Sequence, residues 1–117
     1  MTERKKIWLY QSYSDKTDRD AVNSVLKRGS WWIKGKEITE FERKLSEYVG
    51  VEHAVTFNSG TSGLFASLLA NNVKGGEVIL PSFTYVATAD AVVNAGAKPV
   101  FADIERDTFG LDVESVK

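Results

Sequence analysis

The sequence contains no cysteine and only one histidine, His53. The absence of cysteine excludes disulfide bonds, thiolate nucleophiles and cysteine-ligated metal sites. A single imidazole also leaves no cluster of ligands for zinc. We therefore expect no metal site in this chain.

An excess of charge of either sign is also lacking. Fifteen lysines and arginines stand against sixteen aspartates and glutamates, and the net charge over 117 residues is -1. This balance gives no electrostatic reason to expect a nucleic acid or an anionic membrane as a partner. No apolar run approaches the roughly 20 residues that span a bilayer, and the apolar stretch behind the basic N-terminus is too short for a signal peptide. We expect a cytoplasmic protein.

Helical and strand patterns alternate along the chain. Apolar spacing predicts helices over residues 18–28, 37–49, 62–73 and 84–95, and apolar runs predict strands over 53–57, 77–80 and 98–103. Thr17 is the expected cap of the first helix, and Gly29 and Gly50 are expected to end the first two. Strands that alternate with helices predict the α/β class, with a parallel sheet and right-handed crossovers.

Small and hydroxylated residues fill the corner between the first predicted strand and its helix, residues 58–63 (NSGTSG). A helix N-terminus binds anions through its unpaired N–H groups and its dipole. The same residues are also favoured at a corner that is capped for local reasons alone. The corner is not a P-loop, because no Lys-Ser or Lys-Thr follows the glycines, and it lacks the Gly-x-Gly-x-x-Gly fingerprint.

Aromatic residues follow the second predicted strand, in PSFTYVAT. In a parallel sheet this segment lies at the same carboxyl edge as the corner, where ligands bind. Phe83 and Tyr85 are therefore candidates to cover a flat ligand, although either could instead pack between helix and sheet. Asp103 ends the third strand at this edge and could bind a polar group, but capping of the next turn is the favoured interpretation.

A second aromatic segment, GSWWIKGKE, joins the first two helices. Exposed tryptophans are enriched at binding interfaces. The segment could be a wall of a substrate site or a surface hairpin stabilised by its own tryptophans.

Together these residues resemble a family. The stretches GSWWIKGKEITEFERKLSEYVGVEHAVTFNSGTSGL and GGEVILPSFTYVATADAVVNAGAKPVFADIERDTFGLDVESV are similar to the opening of the DegT/DnrJ/StrS-type sugar aminotransferases. The likeness runs from about residue 20 to the end of the chain. The resemblance implies part of the large domain of a fold type I, pyridoxal-phosphate-dependent enzyme, preceded by an arm and first helix over residues 1–36. Residues 37–117 would be the first part of the large domain.

The resemblance also implies roles for individual residues. Pyridoxal phosphate would rest its phosphate on the N–H groups of Thr61 and Ser62, at a corner to which Gly60 also belongs, and Tyr85 would stack on its pyridine ring. Trp32 and Lys34 would contact the substrate. In the family, a homodimer moves an amino group from glutamate to a nucleotide-linked keto-sugar.

The part of the family pattern that carries the catalytic groups is not found here. The resemblance requires a carboxylate for the pyridinium nitrogen and a Schiff-base lysine, and none of the ten lysines stands in such a context. We expect a catalytically incomplete chain; a non-catalytic truncated paralogue that binds a phosphate ligand or a partner is the alternative. In fold type I the first strand lies apart from the second and third, so uncovered edges and an apolar face are expected.

Overall fold

The structure is a computed structural model that describes residues 6–117. The chain forms two compact units, of which the first extends to Ala54 and the second is Val55–Lys117. The division after residue 36 that the resemblance implies stays a prediction. The helices and strands, in chain order, are α1 (Lys16–Arg28), α2 (Lys36–Val49), α3 (Gly60–Ala70), β1 (Glu77–Pro81), α4 (Ala87–Asn94), β2 (Lys98–Ala102) and α5 (Val113–Val116).

Helix α1 begins with a reciprocal capping box. The Asp15 carboxylate accepts the N–H groups of Thr17 and Asp18 at 2.7 and 3.1 Å, and the Asp18 carboxylate accepts the Asp15 N–H at 2.9 Å. The predicted cap, Thr17, is therefore wrong, because two carboxylates three residues apart satisfy the first N–H groups together. Gly29 ends the helix as expected, with a φ of 71° that only glycine adopts without strain.

Helix α2 is amphipathic and ends at Gly50, as predicted. An ion pair forms on its outer face between Glu40 and Lys44, at 2.8 Å, and it lowers the pKa of the Glu40 carboxyl from its usual range. The apolar side of α2 carries Phe41 and Tyr48, and both are exposed. No apolar side chain of the described part of the first unit is fully buried.

The second unit contains a parallel two-stranded sheet. β1 pairs with β2 in register from Glu77 opposite Lys98 to Pro81 opposite Ala102. Helix α4 packs against both strands and against α3. The small core consists of Leu80, Ala91, Val92, Ala95 and Ala102. The α/β class, the parallel pairing and the strands near 77–80 and 98–103 are confirmed.

The predicted strand over residues 53–57 is wrong, because this run belongs to no sheet in the described structure. An extended apolar run becomes a strand only when a neighbour takes up its ladder hydrogen bonds.

The boundaries of two helices also differ from the prediction. Helix α3 begins at Gly60, two residues early, because the Ser59 hydroxyl caps it. It ends at Ala70, where the Asn71 amide donates to the Ser67 carbonyl at 2.8 Å and Asn72 adopts a φ of 52°. Helix α4 begins only at Ala87, so Tyr85 precedes the helix.

Within residues 6–117, no helix combines the length and the apolar character needed to cross a membrane. In the same residues, no group of three or more histidine, aspartate or glutamate side chains has an arrangement that could hold a metal ion.

Candidate functional site

Hydroxyl groups organise the corner at the start of α3. The Ser59 Oγ accepts the Ser62 N–H at 3.1 Å and lies 2.9 Å from the Ser62 Oγ. The Ser62 hydroxyl donates to the Asn58 Oδ1 at 3.2 Å. The sequence analysis gave two interpretations of this corner, an anion site and a corner capped for local reasons. These hydrogen bonds show that the local cap is formed.

The hydrogen bond from the Ser62 N–H to the Ser59 hydroxyl helps to determine which backbone N–H groups at the start of α3 are open to a ligand. The Gly63 N–H donates to the Ser59 carbonyl at 3.2 Å, and the Ser62 N–H is taken by the Ser59 hydroxyl. Among the described residues, no protein acceptor receives the N–H groups of Gly60 and Thr61. A Cβ built on Gly60 would meet nothing within 4 Å. The open donors thus lie one residue earlier than the predicted pair, Thr61 and Ser62.

The aromatic segment lies where the sequence analysis placed it, directly after the carboxyl end of β1. The Ser82 N–H donates to the Ala102 carbonyl at 3.0 Å, so this segment and the end of β2 share one edge of the sheet. Tyr85 is 78% exposed and Phe83 is 69% exposed. Neither ring packs between helix and sheet in the described structure.

A turn after β2 supports the aromatic segment. The Phe83 and Phe109 rings are tilted by 47°, with centroids 6.1 Å apart. The Glu105 carboxylate orders this turn by accepting the Thr108 hydroxyl and the N–H groups of Asp107 and Thr108. These bonds, the hydroxyl bond first, lower the pKa of the Glu105 carboxyl. The sequence analysis missed Glu105, since the residues that usually accept nearby backbone N–H groups in turns are serine, threonine, asparagine and aspartate.

Asp103 has a local role, as favoured from the sequence. Its carboxylate accepts the Ile104 N–H at 2.8 Å, and its own N–H donates to the Ser115 hydroxyl at 2.9 Å. Its carbonyl accepts the Asp112 N–H at 2.9 Å. The residue therefore ties the end of β2 to the N-cap of α5, Asp112, and to Ser115 within α5.

The first unit holds the predicted substrate residues in the tryptophan loop, defined here as residues 29–35. Trp32 and Lys34 are both exposed in this loop. The hairpin alternative is wrong, because the loop contains no strand. Instead, Trp31 and Lys34 adopt left-handed conformations with φ of 56° and 58°. Trp31 and Lys34 line a depression of about 250 Å³ together with Arg28, Gly35 and Lys36.

Sequence reasoning missed the residues that hold this loop. The Arg28 guanidinium donates to both carboxylate oxygens of Glu37, at 2.7 and 3.2 Å. It also donates to the carbonyls of Ser30 and Trp31, at 3.1 and 3.0 Å. No periodicity signals a contact between residues nine apart on either side of a loop.

A sequence model of the DegT/DnrJ/EryC1/StrS aminotransferase family matches residues 12–117. The chain belongs to this family. The resemblance of its motifs and the α/β architecture are thereby confirmed at the level of the family.

Relatives within the DegT/DnrJ/EryC1/StrS family differ in the substrates that their names state. The chain is 38% identical to a GDP-perosamine synthase of Vibrio cholerae, over 93% of this chain and 30% of the relative. It is 43% identical to a UDP-2-acetamido-2-deoxy-3-oxo-D-glucuronate aminotransferase of Pseudomonas aeruginosa, over 84% of this chain and 27% of the relative.

A solved structure supports the same assignment. The putative sugar aminotransferase Spr1654 from Streptococcus pneumoniae, in its pyridoxal phosphate (PLP) form, superimposes with a TM-score of 0.73 and 37% identity. The match covers 81% of this chain and 25% of that structure. The chain therefore spans between a quarter and a third of the length of these proteins.

Proposed function

We propose that this chain is the N-terminal part of a pyridoxal-phosphate-dependent aminotransferase that moves an amino group from glutamate to a nucleotide-linked keto-sugar. The observation that carries the proposal is the open pair of N–H donors at the start of α3, within a chain of this family. The whole enzyme would act as a cytoplasmic homodimer, and its amino sugar would serve polysaccharide biosynthesis.

The residues of the second unit fit the phosphate and the ring of the cofactor. The N–H groups of Gly60 and Thr61 and the Thr61 hydroxyl offer donors to a phosphate, and the space before Gly60 is open. The Ser62 hydroxyl would donate once it leaves Asn58. The exposed Tyr85 ring offers a flat face for stacking. Bound pyridoxal phosphate supplies an electron sink for chemistry at the carbon that carries the amine.

The tryptophan loop fits the other partner, the nucleotide-linked sugar. The Lys34 ammonium would pair with diphosphate oxygens, and the Trp32 ring would cover a base or sugar face. These two residues would bind and orient the keto-sugar and take no part in proton transfer. The names of the relatives include both GDP- and UDP-linked sugars.

The proposed reaction can be tested on a full-length protein that contains residues 1–117. With pyridoxal phosphate and glutamate, we expect 2-oxoglutarate to form beyond one equivalent per active site only when a keto-sugar is added to take up the amine. Suitable substrates are GDP-4-keto-6-deoxymannose and the keto-sugar that the Pseudomonas aeruginosa relative aminates. Multiple turnovers to 2-oxoglutarate without either sugar, or no turnover with both, would refute the proposal.

A second candidate function applies to the 117-residue chain by itself: a non-catalytic phosphate-ligand or interaction module. Its lysines favour this, since several hold exposed ion pairs, at Lys16, Lys44, Lys98 and Lys117. The pair with Glu77 raises the pKa of the Lys98 ammonium. A lysine that attacks a carbonyl needs a neutral amine.

For the isolated 117-residue chain, we expect no covalent capture of pyridoxal phosphate at a defined lysine. Borohydride reduction followed by peptide mass spectrometry should find only scattered, substoichiometric labelling, because none of the ten lysines stands in the sequence context that the resemblance requires of a Schiff-base lysine. Serum albumin, which also has many surface lysines, serves as the control for nonspecific labelling. Stoichiometric labelling of one lysine would contradict the prediction.

A further inference from the structure

The tryptophan loop has a fixed conformation that the chain must maintain at a cost. Trp31 and Lys34 both lie in the left-handed region, where a side chain meets its own backbone. Such residues persist only when the surrounding contacts determine their conformation. Both tryptophan side chains are exposed, Trp31 at 74% and Trp32 at 61%, so burial of the rings does not hold the loop.

Arg28 supplies the contacts that fix this conformation. Its guanidinium reaches the carbonyls of Ser30 and Trp31, on the first half of the loop, and the Glu37 carboxylate, in the first turn of α2. One planar group thereby joins the end of α1, the loop and the start of α2. The Arg28 side chain is only 27% exposed, whereas Arg43, which pairs with Glu47, is 55% exposed.

Gly35 is what allows this close approach. It is the buried residue at the end of the loop, and a Cβ placed on it would lie 2.7 Å from both the Glu37 Oε2 and the Trp31 carbonyl oxygen. It would also lie 3.0 Å from the Arg28 Nη2. No atom fits at such distances unless the guanidinium, the carboxylate or the loop moves. We call Arg28, Glu37 and Gly35 the Arg28 cluster.

We propose that Arg28 is a positioning residue for substrate recognition: the Arg28 cluster holds the tryptophan loop in the conformation that presents Trp32 and Lys34 to the keto-sugar nucleotide. The part that concerns the ligand rests on the proposed function. The bonds to Glu37 also raise the pKa of the Arg28 guanidinium and lower that of the Glu37 carboxyl. The pair thus stays charged across the neutral range.

The test uses full-length protein that carries Arg28→Lys, Glu37→Gln or Gly35→Ala. Lysine keeps the charge but cannot donate to two carbonyls and a carboxylate from one plane. We expect chymotrypsin to cleave after Trp31 or Trp32 about tenfold faster, because the loop opens more often. We expect the KM for GDP-4-keto-6-deoxymannose, or for the keto-sugar that wild type accepts, to rise about fivefold, with kcat and the KM for glutamate unchanged.

The matched control is Arg43→Lys, which alters an arginine–glutamate pair within α2, outside the loop. It should change neither cleavage nor KM. Wild-type cleavage in all three variants would overturn the proposal, and so would faster cleavage with an unchanged KM for the sugar or an equal rise in both KM values. Circular dichroism identifies a variant that fails to fold, and the remaining two then decide. A wild-type protein that aminates no keto-sugar would refute the proposed function, while the cleavage rates would still decide whether the Arg28 cluster holds the loop.

Discussion

Tyr85→Ala should weaken the binding of pyridoxal phosphate to a full-length protein containing this chain by about 1–3 kcal/mol, through lost apolar contact and lost ring stacking. This corresponds to roughly fivefold to more than a hundredfold in Kd. Tyr85→Phe keeps the flat face and should bind nearly as well as wild type. The measurement is an absorbance or fluorescence titration of the apoenzyme with the cofactor.

The exposure of Tyr85 makes this prediction specific. Because the side chain is 78% exposed, its removal opens no cavity, and the melting temperature of the apoprotein should stay nearly constant. Phe83→Ala is the matched control, since it removes an exposed aromatic ring two residues away that contacts Phe109 instead. Equal cofactor affinity for the alanine and phenylalanine variants of Tyr85 would contradict a stacking role. An equal loss of affinity in Phe83→Ala would show that the whole segment, rather than Tyr85, carries the effect.

The sequence predicted an element correctly where residues close to it in the chain determine its structure. Gly29 and Gly50 end their helices because the left-handed cap depends only on the chain near it. The predicted strands at β1 and β2 are correct because the two strands pair directly with each other. Helix α4 lies between them in the chain and forms the crossover. Residues 53–57 have the same strand-like pattern but belong to no sheet in the part of the chain that the structure describes, and a pattern alone does not supply the ladder hydrogen bonds of a strand.

Contacts across a loop explain what the sequence analysis missed at the candidate site. The corner at residues 58–63 was recognisable from residue types, yet only the structure shows that the Ser59 hydroxyl takes the Ser62 N–H. Arg28 and Glu37 lie nine residues apart, and their contact depends on the left-handed turns at Trp31 and Lys34. Left-handed conformations of tryptophan and lysine are rare, so residue preferences predict against this loop.

The open donors at the start of α3 lead to the last prediction. Gly60→Pro should weaken the binding of pyridoxal phosphate by about 1.5–3 kcal/mol, because it removes one N–H that would bond a charged phosphate. In Kd this is roughly tenfold to more than a hundredfold. Proline is well tolerated at the first position of a helix. Ser59, the preceding residue, already has the extended backbone that proline requires of it, with φ of -155° and ψ of 154°.

Two controls isolate the lost hydrogen bond. Gly60→Ala adds a Cβ into open space but keeps the N–H, so it should bind the cofactor like wild type. Pyridoxal, which lacks the phosphate, should bind the Gly60→Pro variant and wild type equally, because it has no phosphate oxygen that could accept the Gly60 N–H. A titration of both ligands against wild type and the two variants separates these effects. If Gly60→Pro keeps wild-type affinity for pyridoxal phosphate, or loses affinity for pyridoxal to the same extent, the phosphate does not rest on the Gly60 N–H.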